Sequence, residues 1–151
     1  MKSLVMKLRE FKESDAQAVA DLSNTNSKAF QYSSVTPDFL TRMSNHPRYE
    51  MFVLEDGGQI VGFCGVNHEH WPVAEIGPIC VREDHRARGL GKTLVERALA
   101  FAREFNILTV IIKVKPSNIR AQDFFKSMGF EKVEDIKVRG EPAILMVYGL
   151  E

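Results

Sequence analysis

The residues Val73-Ala74-Glu75-Ile76-Gly77-Pro78-Ile79-Cys80-Val81-Arg82-Glu83-Asp84-His85-Arg86-Ala87-Arg88-Gly89-Leu90-Gly91-Lys92 run from a strand-like segment into a basic, glycine-bearing turn. Directly after it, Leu94, Ala98, Phe101 and Phe105 recur at three- and four-residue spacing, which predicts a helix over residues 93–105. A turn of this kind between strand and helix offers several backbone N–H groups and the positive end of a helix dipole, a natural seat for phosphate. Gly89 and Gly91 let the backbone approach an anion with no Cβ in the way. Arg86, Arg88 and Lys92 add positive charge at one place. A solvated basic turn in front of a surface helix is the plainer alternative for the same residues.

Two familiar phosphate motifs are excluded. Gly91-Lys92-Thr93 looks like the end of a P-loop, but that motif requires glycine where Arg86 stands. A dinucleotide fingerprint requires three glycines in a parallel βαβ unit, and this turn has two.

Upstream, residues 4–9 alternate as a first strand, and Ser14 with Gln17 forms a capping-box pattern ahead of Ala18, Val19 and Leu22. Residues 23–35 are polar and poorly periodic, and Thr36-Pro37 opens a short helix. Residues 51–54 and 60–66 flank Asp56-Gly57-Gly58, a hairpin signal, and with residues 73–81 they predict an antiparallel meander. Downstream come a strand over 108–114, a helix over 117–128 stopped by Gly129, and a terminal pair over 132–138 and 144–150 turned at Gly140-Glu141-Pro142. The order β-α-α-β-β-β-α-β-α-β-β predicts an α/β (α+β) fold, a mixed and mostly antiparallel sheet of about seven strands with about four helices on its two faces.

The bulk composition narrows the partners. With 151 residues and no repeat or linker, the chain reads as one domain. Twenty basic and twenty acidic side chains cancel, so an anion site must be local, and nothing attracts nucleic acid or an anionic membrane globally. Cys64 and Cys80 lie in apolar runs without metal-ligand spacing and read as reduced core thiols. No apolar run approaches about 18 residues, and no signal-peptide pattern opens the chain, so the expectation is a cytoplasmic protein. His68 and His70, at i and i+2, would share one side of a strand, and with no third ligand evident they read as a solvated hairpin tip sooner than a metal site.

Arg86-Ala87-Arg88-Gly89-Leu90-Gly91 resembles the R/Q-x-x-G-x-G/A pyrophosphate loop of the GNAT (GCN5-related N-acetyltransferase) superfamily. Asn118, Ala121, Phe124 and Gly129-Phe130 resemble its second signature, N-x-x-A-x-x-F-Y-x-x-x-G-F. The resemblance implies acetyl-CoA as co-substrate and an amine as acceptor, attacked directly without an acetyl-cysteine at Cys80. It implies that backbone groups of Ile79, Cys80 and Val81 meet the pantetheine arm. The amides of Ala87, Arg88, Gly89, Leu90, Gly91 and Lys92 would hold the pyrophosphate, with Arg86 beside them. Asn118 and Phe125 would face the cofactor, although Asn118 could equally cap its own helix.

The base glutamate of the histone-acetylating branch begins the same strand within a Glu-Ile pair, as Glu75-Ile76 does here, so Glu75 is the candidate general base or else an exposed strand-end carboxylate. The usual acid is tyrosine where this chain has Phe125, leaving Tyr148, Tyr32 or water to protonate the thiolate, or a module that binds acetyl-CoA without catalysis. The branch acting on ribosomal-protein N-termini carries a glutamate where Lys113 stands, which argues against that assignment. By resemblance, the acceptor is chosen by residues 24–32, the short helix from Pro37 and residues 68–71, and homodimers are frequent.

Overall fold

The computed structural model describes residues 6–25 and 35–150. Tyr32, most of the 24–32 segment and the first residues of the expected opening strand lie outside them. Strand β1 (Met6–Glu10) is followed by a 3-10 turn (Glu13–Asp15), α1 (Ala16–Thr25) and α2 (Pro37–Ser44). The meander is β2 (Tyr49–Asp56), β3 (Gln59–His70) and β4 (Val73–Val81). A second 3-10 turn (Glu83–His85) leads into α3 (Leu90–Glu104), then β5 (Thr109–Val114), α4 (Ile119–Ser127), β6 (Glu131–Val138) and β7 (Glu141–Gly149). The seven strands form one sheet in the order β1-β2-β3-β4-β5-β7-β6. Among the described residues only the β4–β5 pair is parallel, so the mixed α/β architecture is as expected.

The sheet separates two apolar clusters. Beneath α3 and α4 lie Phe52, Leu54, Ile76, Leu94, Phe101, Val110, Phe125 and Met146 among others, all buried. Beneath α1 and α2 lie Val19, Leu22, Leu40, Tyr49, Val53, Phe63 and Cys80. Alternation along β2 explains the division: Phe52 and Leu54 face one layer, Met51 and Val53 the other. Both cysteines are free and buried, and burial pushes the Cys64 thiol up to about 12 and the Cys80 thiol up to about 11.

Several local expectations are corrected. Ser14 does not cap α1; the chain enters through the 3-10 turn, where the Asp15 carboxylate accepts the Lys12 N–H at 2.8 Å. Asp15 also takes both ends of the Arg9 guanidinium (2.8 and 2.9 Å), whose Nε donates to Glu55 at 2.8 Å. Helix α1 continues to Thr25 instead of ending before Ser23, and Asn24 exchanges two hydrogen bonds with the backbone of Val35. The last hairpin turns at Arg139-Gly140, both at positive φ (51° and 83°), and Glu141-Pro142 already belongs to β7. This is the two-residue turn that matches strand twist, and Gly57-Gly58 forms its counterpart between β2 and β3.

The region of His68 also departs from expectation. A register irregularity between Asn67 and His70 breaks the i, i+2 relation, so His70 is exposed while His68 is buried. The His68 ring lies 5.2 Å from both Phe101 and Phe105, and its Nε2 has no hydrogen-bond partner among the described residues. Burial, with Arg48 and His46 nearby, holds its pKa below the ordinary histidine value. No cluster of three metal-ligating side chains occurs among the described residues, and no described helix is long and apolar enough to cross a membrane.

Candidate functional site

Strands β4 and β5 pair only through Val73, Ala74 and Glu75 against Thr109, Val110 and Ile111. Beyond Glu75 they part, and β4 keeps only its β3 neighbour at Ile79, Cys80 and Val81. The parting leaves one edge of the β4 backbone facing a trough, which α3 closes at one end and α4 along one side. A register shift between Cys64 and Val66 of β3 lies opposite the Gly77-Pro78 segment of β4.

Helix α3 begins three residues earlier than its apolar spacing predicts, at Leu90, because Gly89 serves as N-cap. Gly89 is left-handed (φ 77°), a conformation that costs little without a Cβ, and no side chain caps the helix. Thr93 makes the first bond back, to the Gly89 carbonyl at 3.1 Å. The amides of Leu90, Gly91 and Lys92 therefore have no carbonyl ahead of them in the helix. Ala87, also left-handed (φ 63°), bends the loop before this helix end. At Gly91 an added Cβ would lie 3.3 Å from the Phe124 ring, so this glycine admits close approach of α3 and α4.

A cavity of about 320 Å³ opens in front of this helix end, within the range of ligand sites. All the residues expected to meet a cofactor line it except Arg88. Arg86 is not simply a free cation: its Nε donates to the Val81 carbonyl at 3.0 Å, fastening the loop to the end of β4. Asn118 is the N-cap of α4, its Oδ1 accepting from Ala121 N at 3.0 Å while its side chain borders the cavity. Phe125 is buried, packed edge-on against Phe124 (5.0 Å) and Phe130 (5.3 Å). Residues missed by sequence reasoning also contribute to the wall: His85, Arg120, Ala121 and Phe124. Of these Ala121 and Phe124 carried a signal, as residues of the second signature.

A smaller cavity, of about 40 Å³, lies by the parted strands and shares the wall residues Ile79, Ala121 and Phe125 with the larger one. Gly77, Pro78 and Lys113 also line it. Glu75 stands at the last paired position of β4, and its Oε1 lies 3.3 Å from Lys113 Nζ across the point where the strands separate. Both side chains are about a third exposed (37% and 34%). Tyr148 is placed elsewhere: β7 sits beyond β5, the Tyr148 ring packs at 5.3 Å on Phe130 and the residue lines neither cavity.

A mixed sheet whose parallel middle strands part in front of an uncapped helix N-terminus is an α/β anion-binding architecture. The chain belongs to the acetyltransferase (GNAT) family, whose model matches residues 16–130. An uncharacterised N-acetyltransferase of Methanocaldococcus jannaschii is 37% identical over 92 residues, covering 57% of this chain and 41% of the relative. A Bacillus subtilis protein named "Putative [ribosomal protein bS18]-alanine N-acetyltransferase" is 28% identical over 96 residues, covering 62% of this chain and 61% of its own length. The chain thus spans about half the length of the curated relatives it matches. Among solved structures, Ard1 from Thermoplasma volcanium superposes with a TM-score of 0.85 at 23% identity, covering 97% of this chain and 98% of its own, which establishes the fold. A Salmonella typhimurium protein solved with its cofactor acetyl-CoA superposes with a TM-score of 0.82 at 18% identity, over 97% and 94% of the two chains.

Proposed function

We propose that this protein transfers the acetyl group of acetyl-CoA directly to an amine, with Glu75 as general base. The reading rests on a cavity that joins the uncapped α3 terminus and the loop from Arg86 to Lys92 to the open edge of β4, and on a smaller cavity that shares part of its wall and is lined by Lys113, the ion-pair partner of Glu75. The loop amides and the helix dipole suit a pyrophosphate. The backbone of Ile79 to Val81 suits an extended, amide-bearing arm, with Ala121, Phe124 and Phe125 supplying apolar wall beside it. Acetyl-CoA supplies an acyl group activated as a thioester.

The remaining chemistry falls to this chain. An amine with pKa about 10.4 is protonated at pH 7, and freeing its lone pair costs roughly 4–5 kcal/mol. Glu75 takes that proton, directly or through one water, as the nitrogen bonds to the acyl carbon. Lys113 holds the carboxylate from across the gap, at the point where the strands part. Phe125 donates no proton and Tyr148 is packed on Phe130, so the departing thiolate, with pKa about 8.5, takes its proton from water.

The same Phe125 favours a second reading, a module that binds acetyl-CoA without turnover. Calorimetry with acetyl-CoA followed by thiol release across a panel of small amines, polyamines and peptides separates the two. Release with any acceptor supports transfer; binding without release supports the module; no binding excludes both.

A further inference from the structure

His85 occupies a position that the transfer reaction does not use. It ends the 3-10 turn between β4 and the phosphate loop, is 7% exposed, and lines the wall of the larger cavity. Its two ring nitrogens each meet a carboxylate: Nε2 lies 2.9 Å from Asp56 Oδ2 and Nδ1 2.8 Å from Asp84 Oδ1. Hydrogen bonds from Arg82 and His85 hold the Asp84 carboxyl down to about 2. An ionised carboxylate only accepts hydrogen bonds, so both contacts are hydrogen bonds at once only when both ring nitrogens carry a proton, as they do in the imidazolium.

We propose that His85, clamped as an imidazolium between Asp56 and Asp84, positions the phosphate loop and makes its hold on acetyl-CoA pH-dependent. The inference rests on the reading of that loop as the pyrophosphate site. Asp56 is the last residue of β2, so the clamp ties the residue before Arg86 to the β2–β3 hairpin. Arg86 is in turn fastened to Val81, and the loop enters α3 from two fixed points.

The surrounding charges give the proton its weight. Arg82 donates to Asp84 at 2.7 Å and places Nη2 3.5 Å from His85 Nδ1, while its Nη1 reaches the uncharged Gln59. Arg82 and His85 together balance Asp56 and Asp84. Loss of the imidazolium proton leaves one carboxylate facing a lone pair and the cluster net negative, directly under a loop that receives phosphate.

The test is calorimetric titration of acetyl-CoA from about pH 6 to about pH 9.5 with wild type, His85→Gln and Asp56→Asn. The phosphates of the ligand titrate identically in all three, so ratios of Kd isolate the protein. The expected Kd of His85→Gln exceeds wild type about tenfold, roughly 1.4 kcal/mol, at the acid end and approaches it at the alkaline end. Asp56→Asn, with one acceptor removed, moves the decline of affinity to lower pH, and this shift decides the matter if His85→Gln does not fold. A ratio independent of pH, or an unmoved decline in Asp56→Asn, overturns the inference and leaves a purely structural clamp. A wild type that binds no acetyl-CoA at any pH overturns the proposed function itself.

Discussion

Replacing Glu75 by glutamine removes a charge and preserves shape at the point where β4 and β5 part. Its structural cost is small. The Glu75–Lys113 pair spans 3.3 Å, but both side chains are about a third exposed, which places the pair in the class worth about 0.2–1 kcal/mol. Glutamine still accepts a hydrogen bond from Lys113, so the variant is expected to unfold within about 1 kcal/mol of wild type. The catalytic cost is of another size. A positioned general base contributes about a hundredfold to ten-thousandfold, roughly 2.7–5.4 kcal/mol at 1.36 kcal/mol per decade. The two effects are separable by measuring urea unfolding beside the initial rate of thiol release with the best amine of the panel. The loss is expected in kcat, with the Kd for acetyl-CoA nearly unchanged, because Glu75 lines neither cavity. Lys113→Met, which frees the carboxylate without removing it, should cost much less than Glu75→Gln. Full activity of Glu75→Gln from about pH 6 to about pH 9 would refute its role as base.

Other outcomes follow from packing and charge. An added Cβ at Gly65 would collide with the Tyr49 hydroxyl and lie 2.8 Å from the Gly77 carbonyl, so Gly65→Ala should destabilise by about 1–3 kcal/mol in urea unfolding. Arg9→Met strips Asp15 and Glu55 of their shared partner and should cost about 2 kcal/mol by the same assay. His68 is held below its ordinary pKa, so the unfolded chain binds the extra proton first. Stability should be complete above about pH 6.5 and fall as pH drops through that value. His68→Leu should flatten that slope in thermal melts without loss at neutral pH, since the buried ring nitrogen has no partner to lose. Gly89→Val, at φ 77°, should weaken acetyl-CoA binding at least tenfold by distorting the N-cap of α3.

The frame of the molecule was legible because it rests on local signals. Period change at residues 73–93, the Gly57-Gly58 turn and the spacing of Leu94, Ala98 and Phe101 are all readable within a few residues. What escaped depends on contacts between distant segments. His68 reads as a solvated tip until α3 brings Phe101 and Phe105 onto its ring. His85 has only Arg82 and Asp84 as nearby partners in the sequence, and its second carboxylate comes from β2. Arg86 reads as a phosphate cation until its side chain is seen bonded to Val81. Tyr148 is a candidate acid by residue type alone, and only the sheet order, with β5 between β7 and β4, removes it from the trough. The start of α3 at Leu90 was hidden because Gly89-Leu90-Gly91 reads as a turn, and the first helical turn packs on Phe124 through a glycine.

A crystal structure of the protein with acetyl-CoA shows whether the cofactor runs from the α3 terminus towards Glu75. Pyrophosphate density is expected on the amides between Ala87 and Lys92, the pantetheine arm along Ile79 to Val81, and the thioester between the parted strands within reach of Glu75. Pyrophosphate bound elsewhere, or a thioester on the far side of α4 from Glu75, would contradict that path.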